Sequence, residues 1–89
     1  MATVYIPALL RDLTAGLDIV TVEGATVQHV IEQLDRLYPG IKNRLCDGDA
    51  LRPGMAAAVD TQLASKGLLQ AVGPTSEVHF LPAIAGGAN

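Results

Sequence analysis

Only one stretch of this chain has the periodicity of an amphipathic helix, and the segments around it read as short strands and turns. Val27, Val30, Ile31, Leu34 and Leu37 follow one another at spacings of three, one, three and three, which places them on one helical stripe. Gln28, His29, Glu32, Gln33, Asp35 and Arg36 form the polar face. Thr26 stands where an N-cap is needed, Pro39 forces Tyr38 out of helical geometry, and Gly40 completes the stop. The helix is therefore about a dozen residues long. In a chain of 89 residues there is room for one core, so the stripe has to be buried against a sheet.

The strands are legible from composition and alternation. Thr3-Val4-Tyr5-Ile6 begins a β-rich run that Pro7 closes, and Asp18 to Val22 repeats it after Thr14-Ala15-Gly16. Val4 and Ile6 share one face with Val20 and Val22, while Tyr5 takes the other. Ile41 to Leu45 adds a further turn of helix, and Cys46 to Asp49 with Arg52-Pro53-Gly54 brackets an exposed loop. Met55 to Val59 reads as a buried strand. Gly67 interrupts Leu63 to Val72, which argues for a short strand or irregular segment there. Glu77 to Leu81 is the last strand, with Val78 and Phe80 on one side and His79 and Leu81 on the other, and Pro82 ends its pairing. The order is strand, strand, helix, strand, short element, strand. The fold expected is α+β: a β-grasp, or ubiquitin-like, mixed sheet of four to five strands with one main helix packed on one face, the first and last strands adjacent at its centre. A ferredoxin-like split βαβ needs a second full helix between Thr61 and Val72, which Gly67 opposes.

Composition excludes several function classes. Six Lys+Arg against nine Asp+Glu give a formal charge of −3 with no basic cluster along the chain, so electrostatic nucleic-acid binding is not expected. That charge fits a partner with a basic docking surface. No apolar run approaches a membrane span and the N-terminus does not read as a leader, so the expected address is cytoplasmic. Cys46 is the only cysteine, which rules out an intrachain disulfide, and His29 and His79 are isolated, so neither a metal site nor a cofactor is expected.

The remaining polar residues carry little chemistry. Asp47-Gly48-Asp49 beside Cys46 should raise its thiol pKa, which marks a structural thiol. No Ser or Asp is spaced to form a triad with either histidine. Asp47 and Asp49 lack the ligand pattern of a calcium loop. Lys42 and Lys66 have only their general chemistry as acceptors. Leu81, opposite in parity to the core residues of its strand, is an exposed apolar residue beside the tail or is covered by another element. Residues 1–82 make the β-grasp domain and residues 83–89 a flexible tail.

Across almost its whole length the sequence resembles the MoaD/ThiS family of ubiquitin-like sulfur carriers. The residues that carry the resemblance are Ile6-Pro7 through Leu10-Arg11, Leu13-Thr14, Val22, Gly24, Thr26-Val27, Tyr38-Pro39-Gly40-Ile41, Arg44-Leu45, Leu51-Arg52-Pro53, and Glu77 through Gly87. The closing Leu-Pro-Ala-Ile-Ala-Gly-Gly is most like carriers associated with synthesis of cysteine or other sulfur compounds. The resemblance implies a protein substrate and not an enzyme. An E1-like adenylating enzyme activates the carboxylate of Gly87, sulfide converts it to a thiocarboxylate, and the sulfur passes to an accepting biosynthetic enzyme. Gly86 is the slender penultimate residue that lets the tail thread a narrow channel, and Leu81, Pro82 and Ile84 are the expected docking residues.

Two features depart from the family pattern. Ala88 and Asn89 follow Gly87, which implies removal by a JAMM-type protease cutting between Gly87 and Ala88. Val59-Asp60-Thr61 stands where the family often has Val-Asn-Gly, which calls the turn there into question. Two alternatives share the tail: a ubiquitin-like modifier joined to lysines of other proteins, and a small subunit of molybdopterin synthase.

Overall fold

The computed structural model describes residues 1–82. It contains β1 (Ala2–Tyr5), β2 (Ile19–Val22), α1 (Val27–Leu37), α2 (Ile41–Leu45), β3 (Cys46–Asp47), β4 (Ala50–Leu51), β5 (Met55–Val59), β6 (Gln62–Leu63) and β7 (Glu77–Pro82). Five strands form one mixed sheet in the order β2-β1-β7-β5-β6. The pair β1 and β7 is parallel at its centre, with Val4 opposite Val78 and Tyr5 opposite His79. Every other pairing in the sheet is antiparallel. This is the β-grasp arrangement expected from the order of elements.

The alternation of side chains decides which face meets the helix. Val4, Ile6, Val20, Val22, Ala57, Val59, Val78 and Phe80 are buried together with Val27, Val30, Ile31 and Leu34 of α1. Thr26 caps α1 by accepting the His29 N–H at 3.2 Å. At the other end Gly40, at φ 103°, takes the left-handed turn that a side chain disfavours. Asp35 Oδ1 then accepts the Gly40 and Lys42 N–H groups, both at 3.1 Å, so a residue of α1 supplies the cap of α2. Gly24 is required for space: a Cβ there lies 2.6 Å from Val30 Cγ2 and 2.9 Å from Val30 N.

Three local expectations need correction. Leu37 lies on the helical stripe but is 58% exposed. As the last residue of α1 it stands beside Thr21 and Val22 of β2, which is the edge strand of the sheet among the described residues. Cys46 does not belong to an exposed loop: it is buried in the core cluster, and β3 pairs with β4 in a two-stranded ribbon turned at Gly48-Asp49. As Gly67 suggested, Leu63 to Val72 forms no full helix: Leu63 closes the two-residue strand β6 and a short 3₁₀ turn follows at Gly67–Leu69. Pro82 still occupies a ladder position, opposite Met55, so pairing runs one residue further than the missing N–H suggested.

The turn at Asp60-Thr61 is retained at the cost of strain. Val59 pairs with Gln62 across a two-residue hairpin, and Asp60 and Thr61 have φ of 52° and 73°. Both angles lie in the left-handed region, where a β-branched residue is disfavoured. Thr61→Gly is therefore expected to stabilise the protein by about 1 kcal/mol, measured as a raised midpoint in urea. A lowered midpoint would show that the threonine side chain contributes more than its backbone loses.

Candidate functional site

The site candidates converge on the end of β7 and on the sheet face that α1 leaves open. β7 is a central strand, paired with β1 through His79 and with β5 as far as Pro82, so the last described residues rest on a paired base. Leu81 lies opposite Ala56, on the side away from α1, and is 41% exposed. Two residues earlier, His79 stands between Ala58 of β5 and Tyr5 of β1. Its ring stacks on that of Tyr5 with centroids 4.1 Å apart and planes 11° from parallel. Leu63, opposite Ala58, is 70% exposed on the same face, and Ile19, opposite Tyr5, is also exposed.

These residues are register neighbours on the sheet face away from α1. The alanines of β5 keep its middle flat, the Tyr5–His79 stack gives it a stiff aromatic floor, and leucines stand at its rims. Glu77 Oε1 lies 3.9 Å from His79 Nε2, so the His79 ring has a carboxylate beside it. Such a face is suited to burial against another protein.

The structure places Leu81 as the parity of its strand predicted. Pro82 is described through its backbone position alone. Ile84, Gly86, Gly87 and the Gly87–Ala88 bond lie outside the described residues, as does the expected flexible tail. Sequence reasoning put Tyr5 and His79 on the outer face but missed their contact, because the parallel register that sets them side by side is a tertiary property. It also missed the network at the opposite end of β7. There Asp60 accepts the Glu77 N–H at 2.9 Å and the Ser76 hydroxyl at 2.7 Å, while Ser76 Oγ accepts the Gly73 N–H at 2.8 Å. The Glu77 N–H first, and the Ser76 hydroxyl second, hold the Asp60 carboxyl below its ordinary value.

Cys46 is not poised for chemistry. Burial pushes its thiol up, against the smaller opposing influence of Lys42 and Arg52, so the direction expected from the sequence holds but the cause is desolvation and not the neighbouring aspartates. Among the described residues no group of three or more His, Cys, Asp or Glu side chains is placed to hold a metal ion. No helix among them is long and apolar enough to cross a membrane.

Comparison with known proteins places this geometry among relatives. The sequence profile of the ThiS family matches residues 4–87. The sulfur carrier protein CysO of Mycobacterium tuberculosis is 36% identical over 92 residues, an alignment that covers 96% of this chain and 97% of that protein. The crystal structure of the Amycolatopsis orientalis BexX/CysO complex contains a chain that superposes with a TM-score of 0.90 at 34% identity, covering 97% of this chain and 99% of that one. The crystal structure of Mycobacterium tuberculosis CysO superposes with a TM-score of 0.87 at 34% identity, covering 93% and 99%.

Proposed function

The chain belongs to the ThiS family, and from that premise we propose that it is a sulfur carrier in the synthesis of cysteine or another sulfur-containing metabolite. The observation that carries this reading is where the family match stops: it runs through the sheet and ends at Gly87, the second of the paired glycines, five residues beyond the end of β7. A central strand that delivers an uncharged Ala-Ile-Ala-Gly-Gly segment is suited to presenting a carboxyl group at a distance from the folded body. Glycines at its tip let the segment enter a narrow channel.

In this reading a JAMM-type protease first hydrolyses the Gly87–Ala88 bond, which creates the Gly87 carboxylate. An E1-like enzyme then directs a carboxylate oxygen to the α-phosphorus of ATP, releasing pyrophosphate and leaving an acyl adenylate. Sulfide attacks the acyl carbon, the bond to the phosphate oxygen breaks, and AMP departs to leave a thiocarboxylate. A biosynthetic enzyme accepts the sulfur. The chain contributes no catalytic side chain to these steps. It contributes the terminal carbon, the slender Gly86, and the docking surface formed by Leu81 with Pro82 and Ile84.

Intact mass measurement tests this directly. The chain truncated after Gly87, incubated with ATP, sulfide and its E1-like enzyme, is expected to gain the mass difference of one oxygen exchanged for sulfur. Full-length chain recovered from its own cells with residues 88 and 89 still attached, and no adenylate on the truncated form, would overturn the proposal. A ladder of conjugates on other proteins, with no thiocarboxylate, would favour a modifier instead.

A further inference from the structure

Among the described residues the sheet has two edges, and they are guarded unequally. β6 closes one side with only two residues, too few to template a neighbouring chain. β2 closes the other with Ile19-Val20-Thr21-Val22, four good strand formers without a charge, a proline or a break in register. The Ile6 N–H donates to the Asp18 carbonyl at 2.8 Å, which sets the phase of the ladder between β1 and β2. Asp18, Val20 and Val22 therefore turn their main-chain groups toward β1, while Ile19, Thr21 and Glu23 turn theirs outward. Among the described residues no loop or side chain bonds those outward groups. Beside this edge lies a groove of about 450 Å³ whose lining includes Thr21, Val22 and Glu23 with Arg36 and Leu37 of α1. Leu37 is the stripe residue that its own sheet leaves 58% exposed.

A second copy turned about a two-fold axis through Thr21, perpendicular to the sheet, matches each of these features. Thr21 then faces Thr21 of the second copy and Ile19 faces its Glu23, so the outward N–H and C=O groups exchange bonds as in any antiparallel ladder. Val20 falls opposite Val22, Thr21 makes a Thr–Thr pair, and no two like charges stand directly opposite. Asp18 shares the parity of Val20 and Val22, which places it on the α1 side of the sheet. In this register it comes opposite the second copy's Gly24, next to the groove that the second copy's Arg36 lines. Asp18 and Arg36 are both exposed, and among the described residues neither has an opposite charge within 4.0 Å.

We propose that β2 is a self-association edge, through which two copies of this chain join their sheets into one, five strands from each, with both α1 helices on the same face. The occupant of the groove is the β2 strand of the second copy, with its Asp18 beside Arg36. The two β7 strands then run in opposite directions, each separated from the contact by β1, so the association leaves the end of β7 uncovered in both copies. It does not rest on the carrier reading. A contact of one short strand and a helix end falls at the small, transient end of protein interfaces, so the pair is concentration-dependent.

Sedimentation velocity of the full chain between about 10 µM and 1 mM tests this. The weight-average mass is expected to climb from 9.3 kDa toward twice that value, with a dissociation constant on the order of 100 µM. Thr21→Pro removes the outward N–H at the axis without touching the ladder to β1, and Thr21→Lys sets two ammonium groups face to face there. Each should raise the dissociation constant at least about tenfold. Melting curves at about 10 µM, where the parent is a single chain, check folding, and the exposed Thr21→Lys keeps the test open where the proline variant does not fold. Arg36→Asp should weaken association, and adding Asp18→Arg to it should restore it. Leu63→Lys, on the other edge, should leave it unchanged. A parent that stays at 9.3 kDa at the highest concentration overturns the proposal, as does an association that Thr21→Lys leaves intact or that Leu63→Lys abolishes. None of these outcomes bears on the formation of a thiocarboxylate, which the intact-mass measurement reads separately.

Discussion

Phe80→Ala is expected to lower the stability of the fold by about 3–5 kcal/mol, and Leu81→Ala, one residue further along β7, by less than about 1 kcal/mol. Phe80 is 2% exposed and faces α1. The residue directly across from it on β5 is Ala57, whose methyl group is too small to fill the space a truncation leaves. Leu81 faces the open side, opposite Ala56, and much of its side chain already meets water. For a domain of this size the first loss corresponds to a fall in melting temperature on the order of 20 °C. Thermal melts of the two variants check the contrast. Equal losses would mean that both faces of β7 are core and that the proposed docking face is covered by the chain itself.

The contrast between those neighbours also shows how much of the molecule could be read without coordinates. Strict alternation in Glu77 to Leu81 and the three-four spacing in α1 report burial directly, because each depends only on local geometry and on which side meets water. The stop at Tyr38-Pro39-Gly40 was legible for the same reason, since proline and glycine constrain the backbone on their own. Leu37 shows the limit: periodicity states the direction in which a side chain points, and not whether the sheet extends far enough to meet it. Cys46 failed differently. The polar, turn-like residues after it reflect a tight ribbon turn, while its own burial depends on α2 packing against α1 and β3 following directly from α2.

On the open face the largest functional effect is expected at Leu81. If this surface docks the adenylating enzyme, Leu81→Glu should raise KM for exchange about 30-fold, the equivalent of roughly 2 kcal/mol of lost binding. The physical reason is that a carboxylate at an exposed position is solvated in the free protein and stripped of water, without a partner, in the complex. The melting temperature should hardly move, because the position is already in contact with solvent. Distance from the tail supplies an internal comparison. Leu63 shares the face but stands on the edge strand β6, two strands from β7, and is more exposed than Leu81. Leu63→Glu is expected to have a smaller effect, and Tyr5→Ala, which removes the ring stacked on His79, an intermediate one. A uniform response across the three would indicate a general change of surface charge or hydropathy and not a docked footprint. No response at any of them, with exchange still lost when Gly86 is given a bulky side chain, would mean that the enzyme reads the tail and leaves the sheet face in water.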